Sequence, residues 1–280
     1  MENSSLREFI LNSLSEDLGD GDHSSLACIS EEATGEAKLL IKERGVLAGI
    51  RVVKELFSIV DNDLELNILL EDGAIVQPGD IAFHVSGHQL SILKSERLVL
   101  NIMQRMSGIA TSTRQYVDKL SGLKTKILDT RKTTPGFRTF EKEAVRIGGG
   151  INHRMGLYDM IMLKDNHIDY SGGIERAIKR TNEYLKKNNK ELKIEIEARS
   201  MKDINTILSF GGVDRIMLDN FSIAETRSAI EVISGKFETE SSGGITLDTI
   251  RSYAECGVDY ISVGALTHHV KSLDMSLKAI

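Results

Sequence analysis

A chain of 280 residues with 41% apolar content can bury one large core or two ordinary ones. A formal charge of −6 excludes a nucleic-acid protein, since binding a phosphate backbone needs a broad basic face. Two widely separated cysteines, Cys28 and Cys256, fit neither a disulfide framework nor a metal knuckle. The start, MENSSLREFI, has no signal-peptide core, and no apolar run nears the ~20 residues of a bilayer span. A soluble cytoplasmic protein without membrane or nucleic-acid partners is the expectation.

Ser5 to Asp17 reads as an amphipathic helix, with Leu6, Phe9, Ile10 and Leu14 on one face. Ala37 to Ile41 reads as a strand, followed by a turn at Arg44-Gly45. Gly49 to Val60 returns to helical spacing, with Val52, Val53, Leu56 and Phe57 inward. EDGAIVQPGDIAFHVSG, residues 71–87, alternates short strands with turns at Asp72-Gly73 and Pro78-Gly79-Asp80. Those turns resemble a lipoyl or biotinyl carrier hairpin, but no lysine lies between Lys54 and Lys94 to carry a cofactor. Ser91 to Leu120 is mainly helical, with Leu98, Ile102, Met106 and Ile109 recurring at helical spacing. This half reads as a sheet covered by helices.

From Lys126 the pattern becomes strand, loop and helix, repeated. The strands are KTKILDT (124–130), DMIMLKD (159–165), LKIEIEA (192–198), DRIMLDN (214–220), KFETESS (236–242) and DYISVGA (259–265). Ser171, Ser200, Ser222 and Thr246 are placed as helix N-caps, and Ser222 with Glu225 makes a capping box. Gly211-Gly212, Gly235 and Gly257 are placed to end helices. Six such units imply parallel βαβ connections and point to a barrel, with an open doubly wound sheet as the alternative. Strand interiors are expected to be aliphatic.

The polar residues fall at the carboxyl ends of these strands, where parallel barrels assemble their sites. Arg131 and Lys132 follow the first strand, and Lys164 the second. Glu197 ends the third, Asp219 the fourth, Ser242-Gly243-Gly244 the fifth, and Gly264 to His268 the sixth. Asp129–Asp169 also packs Arg138, Lys142, Arg146, His153 and Arg154 into an otherwise acidic protein. A cationic cluster on an acidic background binds anions, and arginines grip planar carboxylates or phosphates at two points. The substrate is therefore small and multiply anionic. Glu197 and Asp219 suit Mg²⁺, or else pair with neighbouring cations as structural ions. Glu195 shares a strand face with Glu197, so either acid can be the one at the site. Lys164 is an imine-forming nucleophile or, as the surplus of anion-binding groups favours, a simple cation. SSGGI and SVGAL offer backbone N–H groups for a phosphate. Gly148-Gly149-Gly150 reads as a tight loop near the ligand.

These pieces together resemble the quinolinate phosphoribosyltransferase family, the carboxylating nicotinate-nucleotide pyrophosphorylases. The motifs are SERLVLNIMQRMSGIAT (95–111), DTRKTTPGFR (129–138), GGGINHRMGLYD (148–159), MLKDNHI (162–168), EIEA (195–198), IMLDN (216–220), SSGGI (241–245) and SVGALTH (262–268). The resemblance implies an N-terminal α/β sandwich domain over residues 1–112 and an open α/β barrel of parallel strands over 113–268. The tail, 269–280, would pack on the first domain. It also implies a homodimer, or an oligomer of dimers, with shared active sites. Arg131, His153, Arg154 and Lys164 would hold the two carboxylates of quinolinate, helped by Arg97 from the partner. Lys132 and Lys164 would contact phosphoribosyl pyrophosphate, and Glu197 and Asp219 its ribose hydroxyls and Mg²⁺. Ser242, Gly243, Gly244 and Gly264 would cradle the 5-phosphate, with His268 nearby. Lys132, Lys164, Glu197 and Asp219 are then the catalytic set. The chain departs from the family pattern at Glu143, where an aromatic is commoner, and by one residue inserted near 210–212.

Overall fold

The computed structural model describes residues 3–280. The chain divides into two compact units. One comprises the chain to Arg114, Thr133–Gly149 and Leu266–Ile280; the other comprises Gln115–Lys132 and Gly150–Ala265.

The first unit begins with helices α1 (Asn3–Leu18) and α2 (His23–Cys28), then strands β1 (Thr34–Ile41) and β2 (Gly45–Val46). Helix α3 (Ile50–Val60) follows, then β3 (Glu65–Ile68), β4 (Ile75–Val76), β5 (Ile81–His88) and the long helix α4 (Gln89–Lys119). All four apolar residues expected to face inward on α3 are buried. Its N-terminus has no cap of its own. Asp72 supplies one, its carboxylate accepting from Gly49 N at 2.7 Å and Ile50 N at 2.9 Å, where the helix dipole favours an anion.

Beyond α4 come β6 (Lys126–Leu128), α5 (Arg138–Ile147), β7 (Ile161–Leu163), α6 (Asp165–Ser171), α7 (Ile174–Lys187) and β8 (Ile194–Ala198). The remainder is α8 (Met201–Phe210), β9 (Arg215–Asp219), α9 (Ile223–Ile233), β10 (Glu238–Ser242), α10 (Ile250–Ala254), β11 (Tyr260–Ser262), α11 (Ala265–His268) and β12 (Met275–Ala279). The C-terminal strand β12 returns to the first unit and pairs antiparallel with β1, in a sheet ordered β12-β1-β5-β3. Helix α5 belongs there too, its Phe140 ring 4.6 Å from Phe9 of α1.

All six strands expected after Lys126 form one parallel sheet, ordered β6-β11-β10-β9-β8-β7. It stays open between β6 and β7, where a lone parallel bridge joins Leu128 to Ile151. The expected aliphatic interior is wrong. Side chains alternate along a strand, and the set containing Glu195, Glu197, Arg215, Asp219, Glu240 and Ser242 shares one face. The intervening Ile194, Ile196, Ile216, Leu218 and Ile261 are the buried aliphatics, on the face where α8 meets β8 and α10 meets β11. Ser200 and Ser222 cap α8 and α9 as expected. Ser171 instead still lies within α6, as its last residue, and α10 starts after Thr249 rather than at Thr246, because Thr246 opens a turn that precedes the helix.

Two glycines explain close approaches. At Gly148, which ends α5, a Cβ would lie 2.5 Å from Ala110 O of α4, so the glycine run there serves packing. At Gly108 a Cβ would lie 2.3 Å from Lys271 O, on the stretch leading into β12. Gly108→Val should cost about 1–3 kcal/mol by overpacking, lowering the melting temperature by several degrees. Gln115→Ala, exposed on the same helix, should stay within about 0.5 kcal/mol. Thermal denaturation of both variants checks the difference.

Candidate active site

The carboxyl ends of the six parallel strands form one rim. Lys164 leaves β7 and Glu197 lies on β8, their Nζ and Oε1 2.8 Å apart. The second oxygen of Glu197 accepts from Asp165 N, at the start of α6, at 3.1 Å. Glu197 is thus the rim acid, which resolves its ambiguity with Glu195. Asp219 ends β9 level with Ser242 of β10 and accepts from Asn220 Nδ2 at 3.0 Å. Burial and then the charge of Glu197 push the Asp219 carboxyl above its ordinary value, against Asn220 and Lys164. Two carboxylates repelling each other over one rim are oxygen donors of the kind a hard divalent cation takes.

The cationic segment lies between β6 and β7. Asp129, fully buried, accepts from His153 N at 2.8 Å and from Asn152 Nδ2 at 2.6 Å. Asp159 accepts from Met155 N at 2.7 Å and Gly156 N at 2.8 Å. Arg154 is held between these clamps, its Nη1 donating to Met160 O at 3.1 Å. Burial first, and then the charge of Arg131, lowers the Arg154 pKa. Two guanidiniums therefore stand close enough to oppose each other, and among the described residues neither forms an ion pair. Unpaired like charges in a cleft mark an anion site.

Beneath the rim is a group that the sequence reading missed. His153 Nε2 lies 2.8 Å from Glu195 and 3.4 Å from Glu240, an ion pair by distance rather than a well-aligned hydrogen bond. Arg215 Nη1 lies 3.2 Å from Glu240, and its guanidinium stacks 4.0 Å from the centre of the Tyr260 ring. Burial and the charge of Glu240 push Glu195 up to about 7. Against its own burial, Glu195 and Glu240 hold His153 at about 9. Glu240, which touches both the imidazole and the guanidinium, is held below its ordinary value despite burial. Arg215 and Glu240 cancel, while His153 and Glu195 share the remaining protons. The Arg154 backbone nitrogen lies 2.6 Å from His153 Nδ1. The available signal was a charged residue at every second position of EIE and ETE.

The remaining candidates are dispersed. Gly243, with φ 101°, lies where a Cβ would meet Asn220 Oδ1 at 2.2 Å, so only glycine fits that turn. Ser242 and Gly244 flank it, and Gly264 precedes α11. Lys132 is exposed after β6. Arg97 on α4 and His268 at the end of α11 are exposed and belong to the first unit. Glu143 pairs with Arg51 within that unit, at 2.8 and 2.6 Å, which accounts for an acid at that position.

Both His153 and Glu195 are raised above the values of an unfolded chain, near 6.5 and 4.5. The stability they contribute is complete at low pH and is lost as pH rises through about 7 to 9. The melting temperature should therefore fall between pH 6.5 and pH 9.5, and fall less in Glu195→Gln, which mimics the protonated acid. Parallel thermal melts across that range are the measurement; equal slopes would sink the assignment.

The quinolinate phosphoribosyl transferase N-terminal domain model matches residues 22–107, and the C-terminal domain model matches residues 109–278. The chloroplastic carboxylating nicotinate-nucleotide pyrophosphorylase of Arabidopsis thaliana is 44% identical over 98% of this chain and 82% of its own length. A probable carboxylating nicotinate-nucleotide pyrophosphorylase of Bacillus subtilis is 40% identical over 99% of this chain and 94% of its own. The crystal structure of NadC from Streptococcus pyogenes superposes with a TM-score of 0.94 at 38% identity, covering 100% of this chain and 99% of that one. With both domains matched in order and nearly full-length relatives on either side, the chain belongs to the quinolinate phosphoribosyltransferase family.

Proposed function

We propose that the protein transfers phosphoribosyl from phosphoribosyl pyrophosphate to quinolinate, releasing pyrophosphate and CO₂ and forming nicotinate mononucleotide for NAD biosynthesis. The observation that carries this reading is the Arg131–Arg154 pair, two guanidiniums whose charges oppose each other and which, among the described residues, form no ion pair. They match a substrate that brings two carboxylates. The quinolinate nitrogen attacks ribose C1 as pyrophosphate leaves, and Glu197 and Asp219 stabilise the positive charge that develops on the sugar. As CO₂ departs, the electron pair of the 2-carboxylate bond stays on ring carbon C2, stabilised by the adjacent pyridinium nitrogen, and a proton from solvent then makes the C2–H bond of nicotinate mononucleotide. Lys132 and Lys164 meet the diphosphate, and Ser242, Gly243, Gly244 and Gly264 the 5-phosphate. A magnesium ion held by Glu197 and Asp219 would add neutralising charge for the leaving diphosphate.

An aldolase using Lys164 as an imine is the contrasting reading. It needs Lys164 Nζ free to attack a carbonyl, whereas that atom donates to Glu197 at 2.8 Å. Free thiols at Cys28 and Cys256 suit a reducing cytoplasm.

Quinolinate should be used with a kcat/KM at least ~10²-fold above nicotinate, because a missing carboxylate leaves the cations that would meet it without a partner in the closed complex. Product assays for CO₂ and pyrophosphate, repeated with chelator, test this: equal use of nicotinate, or full activity without divalent ions, would count against it.

The same reading makes the enzyme a homodimer in which the partner subunit's Arg97 completes each site. It is supported by Arg97 being exposed on α4 and, among the described residues, in no ion pair. Mixing inactive Arg97→Ala with inactive Lys164→Ala subunits should then restore activity, because one site of each mixed dimer carries neither defect. Differently tagged mixed dimers as dead as their parents would place Arg97 elsewhere.

A further inference from the structure

The reaction uses no part of Glu195, Arg215 or Glu240, yet all three are buried, the two acids completely. Charge removed from water to that extent is expensive unless something is gained. The connection to the rim is His153. Its Nε2 faces Glu195 and Glu240, and its Nδ1 lies 2.6 Å from the N–H of Arg154. The ring is a strut between the barrel interior and the backbone of the residue that grips the substrate.

We propose that Glu195, Glu240 and Arg215 are positioning residues for quinolinate, locking His153 from inside the barrel and thereby fixing Arg154 at the rim. This rests on the reading of Arg154 as a carboxylate ligand.

Three features support it. Residues 152–156 lie in no helix or strand, so backbone hydrogen bonding does not fix their path. Their pins are Asp129, Asp159 and the imidazole. Among the described residues Arg154 has no carboxylate partner, so the aim of its guanidinium follows from where its backbone is held. Two-point binding of a carboxylate loses its advantage with displacements on the order of 1 Å. Finally, Glu240 is tied to Arg215, which is tied in turn to Glu238 at 3.1 Å and stacked on Tyr260. The strut therefore stands on three strands, β8, β9 and β10, rather than on a loop.

A buried metal ion is the rival account, because the ligand atoms of His153, Glu195 and Glu240 all lie within 4.8 Å of one another. The Arg215 guanidinium already occupies the cationic role there, 3.2 Å from Glu240.

The test is a double-mutant cycle on the intact enzyme. Glu240→Gln should raise the KM for quinolinate about tenfold, with the KM for phosphoribosyl pyrophosphate and kcat within about threefold. In an Arg154→Ala background the same change should alter the quinolinate KM less than about twofold, since the group it positions is gone. If Glu240→Gln does not fold, Glu195→Gln takes its place in the cycle. Equal factors in both backgrounds, or parallel losses for both substrates, would overturn the inference. So would a stoichiometric metal in the purified protein whose removal reproduces the Glu240→Gln phenotype. An Arg154→Ala enzyme with an unchanged quinolinate KM would overturn the reading of Arg154 as well, a result distinct from an uncoupled cycle.

Discussion

A parallel sheet that buries charged side chains has to neutralise them internally, because water is not there to do it. Transferring one carboxylate or guanidinium alone into such an interior costs several kcal/mol, so single charges would not be tolerated. Here Arg215 meets Glu240 and Glu238, Glu240 meets His153, and His153 meets Glu195. The order β8-β9-β10 brings these residues together, so sheet register and charge balance are two statements of one condition. The aliphatic positions that alternate with them go to the helix-covered face and supply the hydrophobic stabilisation. Two residues further along the same face come Glu197 and Ser242, and four further comes Asp219. The interior network and the reacting rim are one polar column with two depths.

At the rim the rule is reversed. Inside, each charge has its opposite; outside, cations outnumber the acids that reach them. Lys164 is matched by Glu197, whereas Arg131 and Arg154 are left to oppose each other. Glu195, Asp159 and Glu197 offset part of that opposition at Arg154, and an anionic ligand would offset more of it. Selectivity then follows from what the empty pocket lacks as much as from what the filled one gains.

Much of this was legible in the sequence. Strand, loop and helix repeat after Lys126, and the chemistry-bearing residues fall where each strand ends, so the rim from Lys164 through Glu197, Asp219 and Ser242 could be read in one dimension. What could not be read depends on pairings between distant parts of the chain. Strand β12 joins β1 from the opposite end of the sequence, and nothing in DMSLKAI identifies that neighbour. Ser171 and Thr246 look like caps locally, but one helix had not ended and the other had not begun. The charged interior was overlooked because a Glu in mid-strand looks exposed until the strand beside it supplies an Arg. Its alternation was visible; its partners were not.

The same separation of depths bears on how Lys164 is held. An imine-forming lysine has to lose its proton, which apolar surroundings or neighbouring cations promote. Glu197 accepts from Lys164 Nζ and also from Asp165 N, so its carboxylate is fixed against that side chain. The acid is itself held by the helix start it caps, and does not swing away without breaking that second bond. Lys164 and Glu197 are therefore held together where β7 and β8 end. A transferase that parts a diphosphate from a sugar uses groups of both signs held in place, and its nitrogen attack needs neither an enzyme nucleophile nor a base.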